Sequence, residues 1–119
     1  MIKIYFFDTY ALIEVYEGNK NYDQYKDKEF VTSYFNLIEF DFYLLKNEED
    51  RNLFKRLKEF IIRIEDEDVK KANELKLKYK KEDISFTDCL GYIIAKRLGI
   101  KFLTGDNQFK DKENVEFVK

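Results

Sequence analysis

The chain of 119 residues contains no histidine, no proline and no tryptophan, a single cysteine and only four glycines. Each shortage removes a class of explanation. Without histidine there is no Ser-His-Asp triad, no imidazole base and no His-ligated zinc. Any catalysis must be built from carboxylates, hydroxyls and lysines. One cysteine forbids an intrachain disulfide, which fits a reducing interior. No apolar run approaches the roughly 20 residues that cross a bilayer, and no basic segment leads into an apolar signal core. The expectation is a soluble, cytoplasmic protein with no membrane partner. The net charge of −2 provides no global field to draw in nucleic acid. That weighs against a nonspecific coating role, and less against a nuclease whose metal ions supply positive charge locally.

What is present is apolar mass: 45% of residues are hydrophobic and 18% aromatic, enough for a core despite 39% charged residues. The length suits one domain spanning residues 1–119. Ile2 to Phe7 reads as a strand buried on both faces. Asp8-Thr9 caps a helix from Tyr10 to Glu17, stopped at Gly18-Asn19. Asn21 to Lys28 is a short helix or loop, and Glu29 to Ser33 a second strand around Phe30-Val31. Ser33 caps an apolar helix from Tyr34 to Lys46. An amphipathic helix over Glu48 to Phe60 leads to a third strand, Ile61 to Ile64.

Asp66 to Lys81 predicts a charged helix with acid-to-lysine pairs Asp66–Lys70, Glu67–Lys71 and Glu74–Lys78. Its basic end, Lys76 to Lys81 with Tyr79 interleaved, reads first as a solvated face and second as an RNA guide. Ser85 starts a helix ended by Gly99. Within it Cys89 reads as a small core residue, and Gly91 as a point of close approach to another backbone. Lys101 to Thr104 and Val115 to Val118 are the fourth and fifth strands. Strands alternating with helices give an α/β fold, a parallel sheet covered on both faces.

Four carboxylates sit against apolar runs. Asp8 ends Ile4-Tyr5-Phe6-Phe7, Glu39 lies within Leu37-Ile38-Glu39-Phe40, Asp88 opens Asp88-Cys89-Leu90, and Asp106 closes Phe102-Leu103-Thr104-Gly105. Singly, three have structural explanations: Asp8 as an N-cap, Asp88 in the capping box Ser85-Phe86-Thr87-Asp88, Asp106 in a turn. Glu39 shares a narrow polar stripe with Asn36, Tyr43 and Lys46, either a solvated strip or a pocket wall. Jointly the four occupy equivalent places, just beyond strands one and four and near the starts of two helices. Parallel sheets bind ligands at that edge. Gathered carboxylates repel, so they protonate, spread apart or take up cations. Oxygen donors without histidine favour Mg²⁺ or Mn²⁺ over zinc.

Tyr5-Phe6-Phe7-Asp8-Thr9, Asn36-Leu37-Ile38-Glu39, Phe86-Thr87-Asp88-Cys89 and Phe102-Leu103-Thr104-Gly105-Asp106-Asn107-Gln108-Phe109 together resemble a PIN domain, the fold of many metal-dependent ribonucleases including VapC-type toxins. The resemblance covers essentially the whole chain. It implies a three-layer sandwich with strand order 3-2-1-4-5, and Asp8, Glu39, Asp88 and Asp106 as catalytic, metal-binding residues for Mg²⁺ or Mn²⁺. Thr9 and Thr104 match the supporting hydroxyl positions. It also implies an RNA substrate, a homodimer and an antitoxin partner. Gln108 departs from the pattern, because many VapC-type members carry another acid there.

A catalytically inactive PIN-like module that binds RNA or protein is the alternative, disfavoured by retention of all four acids. A phosphoryl-accepting receiver-like domain ranks third, since Ile64-Glu65-Asp66 matches its second acidic position only loosely.

Overall fold

The computed structural model describes residues 3–119, so the proposed start of the first strand at Ile2 lies outside the described residues. Four short strands form one parallel sheet: β1 (Ile4–Phe7), β2 (Glu29–Val31), β3 (Lys101–Thr104) and β4 (Val115–Phe117), in the order β2-β1-β3-β4. β1 is central, pairing Tyr5 with Phe30 on one side and Phe6 with Phe102 on the other. The chain thus reverses direction across the sheet between β1 and β3, which opens a crevice at their carboxyl ends.

The period of two in these strands divides the core. Tyr5, Phe7 and Leu103 face α1 (Thr9–Glu17), α2 (Tyr34–Lys46) and the short α3 (Asn52–Arg56). Phe6 and Phe102 face α4 (Asp66–Lys78) and α5 (Phe86–Leu98). Both faces are therefore covered, as the near-continuous apolar strands require.

The helix ends follow local chemistry. Asp8, Ser33 and Ser85 each accept a backbone N–H from the first turn of α1, α2 and α5. Gly18 and Gly99 end α1 and α5 in the left-handed conformation, at φ 76° and 68°.

Several expected elements are shorter. The strand over Ile61 to Ile64 reduces to a single parallel bridge between Thr32 and Ile61. Beyond Thr32 the neighbouring edge turns at once into the cap of α2, so no further ladder is available. The bridge lies where a third strand would extend the sheet beyond β2, so the order agrees with the sequence-based one apart from this reduced edge. The helix expected over Glu48 to Phe60 starts late, because Glu48 takes a positive φ of 55° that no α-helix passes through. Only α3 and a 3₁₀ turn, Leu57–Phe60, remain of it.

The three acid–lysine pairs expected along α4 form no ion pair among the described residues. Instead the buried Asp68 takes a two-pronged contact from Arg97, at 2.8 and 2.9 Å, joining α4 to α5. Gly91 admits side chains rather than backbone: a Cβ there would stand 2.7 Å from the Phe6 ring and 3.0 Å from that of Phe102. Cys89 is buried, and burial pushes its thiol up to about 11. Among the described residues, no helix is long and apolar enough to cross a membrane.

Candidate active site

The four acids arrive from four elements at one cavity. Asp8 follows β1, Asp106 stands two residues beyond β3, Glu39 lies on α2 and Asp88 in the first turn of α5. All four line an open cavity of about 480 Å³ at the crevice between β1 and β3, with Thr9, Ser85 and Lys119 at its walls.

Each structural explanation for an acid turns out to occupy only part of it. One oxygen of Asp8 caps α1 by accepting the Ala11 N–H at 2.8 Å. The side chain is nonetheless only 1% exposed. For Asp88 only half of the capping box forms: its backbone N–H donates to the Ser85 hydroxyl at 3.1 Å, and its carboxylate makes no return bond to the Ser85 N–H. Asp106 caps a 3₁₀ turn by accepting the Gln108 N–H at 3.0 Å. Its own N–H donates to the Thr104 hydroxyl.

Glu39 is held by a buried relay. The Ser33 hydroxyl donates to Asn36 Oδ1 at 2.6 Å, Asn36 Nδ2 donates to the Thr9 hydroxyl at 3.1 Å, and Thr9 donates to Glu39 Oε1 at 2.6 Å. Thr9 thus orients an acid directly. Thr104 is fully buried and does not line the cavity; its hydroxyl favours the charged form of Asp8 and fixes the Asp106 backbone. The polar stripe read from the sequence divides. Asn36 and Glu39 face the site, while Tyr43 turns away to bond Glu17.

The electrostatics are those of crowded acids. Burial pushes the Asp8 carboxyl well above the usual range, and the charges of Asp88 and Asp106 add to this, against the hydrogen bonds from Thr104 and Ala11. Burial also raises Asp88, to about 6, with the nearby Asp106 and Glu39 contributing. As the side chains stand, no three acids converge on a single ion position among the described residues. A cation held here as the side chains stand would take one or two carboxylates, with water completing its shell. The donor set is all oxygen, which fits Mg²⁺ or Mn²⁺ in kind, and a cation would relieve the repulsion that raises Asp8 and Asp88.

The sequence model of the PIN domain matches residues 5–115. The chain belongs to the PIN domain family. Solved structures agree in fold. This PIN domain is similar to a chain of a toxin–antitoxin complex from Klebsiella pneumoniae, with 20% identity, coverage of 93% of this chain and 94% of that one, and a TM-score of 0.76. It is similar to Mycobacterium tuberculosis VapC20, described as a sarcin–ricin loop cleaving toxin, at 15% identity, 97% and 99% coverage and a TM-score of 0.77. A chain of Rickettsia felis VapBC2 bound to promoter DNA matches at 17% identity, 98% and 99% coverage and a TM-score of 0.68. No curated protein matches.

Two features of this PIN domain bear on its sequence peculiarities. Gln108, at the position where many VapC-type members carry an acid, turns away from the cavity and donates to the Glu82 carbonyl, bracing the loop before α5. Tyr79, the aromatic within the basic run, is covered by the Lys112 ammonium 4.1 Å from its ring centre. One face of that ring is therefore occupied. Asn36 and Lys119 were not among the site residues expected from sequence. Asn36 had a signal, one turn before Glu39 on the same stripe; Lys119 had none, because only the fold carries it to the acids.

Proposed function

We propose that this PIN domain is a metal-dependent endoribonuclease that hydrolyses RNA phosphodiester bonds, acting as the toxin of a toxin–antitoxin pair. The observation that carries the reading is the convergence of Asp8, Glu39, Asp88 and Asp106 on one cavity at the reversal point of the sheet, in a member of a nuclease family. A bound Mg²⁺ or Mn²⁺ would supply Lewis acidity and lower the pKa of a coordinated water.

The chain's own residues prepare that chemistry. Asp8 and Asp106 present carboxylates on backbone fixed by capping bonds. The Ser33–Asn36–Thr9 relay sets the orientation of Glu39, which is the role outer partners play around metal ligands. Thr104 fixes the backbone of Asp106 by accepting its N–H and favours the charged form of Asp8. A cytoplasmic location is the one we propose with this reading, since an RNA substrate would be met there.

Likeness to structures described as toxin–antitoxin assemblies supports an antitoxin partner. A homodimer is supported by α2. Tyr34, Phe35, Ile38, Phe42 and Leu45 form a stripe along it, from 42% exposed at Phe35 to 64% at Phe42. With roughly 200 Å² for each aromatic side chain, the stripe offers on the order of 450 Å² of apolar surface. That is more than half of the about 800 Å² each partner buries in a stable dimer. A second copy of the same stripe, packed about a twofold axis, is the occupant we assign.

Purified protein incubated with a structured RNA should cleave it with Mg²⁺ or Mn²⁺ and stop in excess EDTA. Asp8→Asn and Asp106→Asn should each abolish cleavage. Cleavage that survives EDTA and both substitutions would refute the reading, and RNA binding without cleavage would replace it with the inactive-module alternative.

A further inference from the structure

Lys119 is the one cation lining the four-acid cavity among the described residues. The main chain leading to it is held by three contacts, two at Val118 and one at Lys119 itself. The Val118 N–H donates to the Thr104 carbonyl at 2.9 Å, the Tyr22 hydroxyl donates to the Val118 carbonyl at 2.6 Å, and Asn21 Nδ2 donates to the Lys119 carbonyl at 3.0 Å. The fit against the acid-bearing loop is tight: a Cβ on Gly105 would lie 2.5 Å from the Val118 carbonyl oxygen and 2.3 Å from the Tyr10 ring. The segment carrying Lys119 is therefore seated against the residue that precedes Asp106.

The ammonium itself is barely engaged. It forms no ion pair with any acid among the described residues, although four surround the same cavity. It reaches only the Gly105 carbonyl, at 3.3 Å, and lies 6.0 Å from the centre of the Tyr10 ring. An ammonium carries three donors, so two of them have no protein acceptor among the described residues. A counter-ion for the acids would sit on one of them.

We infer that Lys119 is a substrate-contacting residue that binds a phosphate of the nucleic-acid strand next to the one to be cleaved at the four-acid cavity. This deepens the nuclease reading and rests on it. The physical need is plain: a chain with net charge −2 and a cavity of acids repels a polyanion. A cation carried at the rim would offset that repulsion.

The test compares the wild-type chain with Lys119→Gln, Lys119→Arg and, as a control at the opposite, amino end of β3, Lys101→Gln. A labelled single-stranded oligoribonucleotide is titrated by fluorescence anisotropy with Ca²⁺ present, across 50–200 mM KCl. Mn²⁺ is titrated separately by calorimetry without RNA. Lys119→Gln should weaken RNA binding by about tenfold and reduce the salt slope by about one. It should bind Mn²⁺ about two- to fivefold more tightly, because a like charge has gone. Lys119→Arg should keep wild-type RNA binding.

Unchanged RNA affinity and slope in Lys119→Gln, or an equal loss in Lys101→Gln, would overturn the assignment while leaving the nuclease reading intact. Wild type that binds Mn²⁺ but no RNA would overturn both. A loss of Mn²⁺ binding in Lys119→Gln would also overturn it, since the lysine would then be a structural support of the acids.

Discussion

Asp88→Asn should make the metal-free protein more stable at neutral pH, although it removes a charged group from the four-acid cavity. In the folded chain burial, with Asp106 and Glu39 nearby, raises the Asp88 carboxyl from 3.8 to about 6. The folded state therefore holds the Asp88 proton more tightly than the unfolded chain does. Stability is highest below the unfolded value, falls as pH rises through the window from about 4 to 6, and stays reduced above it. A shift of this size corresponds to at most about 3 kcal/mol, and to about 1–2 kcal/mol once solvent screening at a half-buried position is allowed for. Asparagine keeps the shape without the charge and leaves the Ser85 cap, which uses the Asp88 backbone, in place. For a domain of this length the gain is worth roughly 4–8 °C in melting temperature. Thermal melts in EDTA at pH 7.5 should show that rise in Asp88→Asn, and melts at pH 4 should show almost none. A variant less stable than wild type at pH 7.5, or equally stabilised at both pH values, would refute the electrostatic account.

Three other outcomes follow from separate parts of the fold. Asn36→Ala should cost about 1–3 kcal/mol in chemical denaturation, since the buried Ser33 hydroxyl loses its acceptor and Thr9 its donor; an unchanged midpoint would show that the relay is idle. Gly105→Ala should cost about 1–3 kcal/mol by overpacking against the Val118 carbonyl and the Tyr10 ring. Protection of the Val118 amide from hydrogen exchange should fall with it, and retained protection would contradict the tight seating. Phe42→Lys should leave the monomer fold intact, because the side chain is 64% exposed, yet shift sedimentation from dimer to monomer; a wild type that is already monomeric at micromolar concentration would remove the role given to α2.

Much of this arrangement was legible in the sequence because local and global signals coincide. Asp8, Ser33 and Ser85 are caps by residue type, Gly18 and Gly99 are stops, and the apolar strand Tyr5-Phe6-Phe7 demands cover on both faces. The four acids could be placed together because each adjoins the carboxyl end of a strand or the first turns of a helix that rises from it. The failures are tertiary. The apolar run Ile61 to Ile64 has strand composition, but pairing depends on a neighbour, and Thr32 offers only one more residue before Ser33 turns the chain into α2. The α4 ion pairs have correct spacing, yet exposed pairs of that kind are weak, whereas Asp68 gains a partner from α5 that no local pattern reveals. Lys119 is invisible for the same reason: its place beside the acids is set by β4 running parallel to β3.

The central claim is that these acids form one metal centre, and a Mn²⁺ titration of wild type, Asp8→Asn and Asp106→Asn by calorimetry tests it most directly. Wild type should bind Mn²⁺, and each substitution should weaken binding by at least tenfold, because both carboxylates would face the same ion. Mn²⁺ affinity unchanged in either variant, or no binding by wild type at millimolar Mn²⁺, would contradict the account.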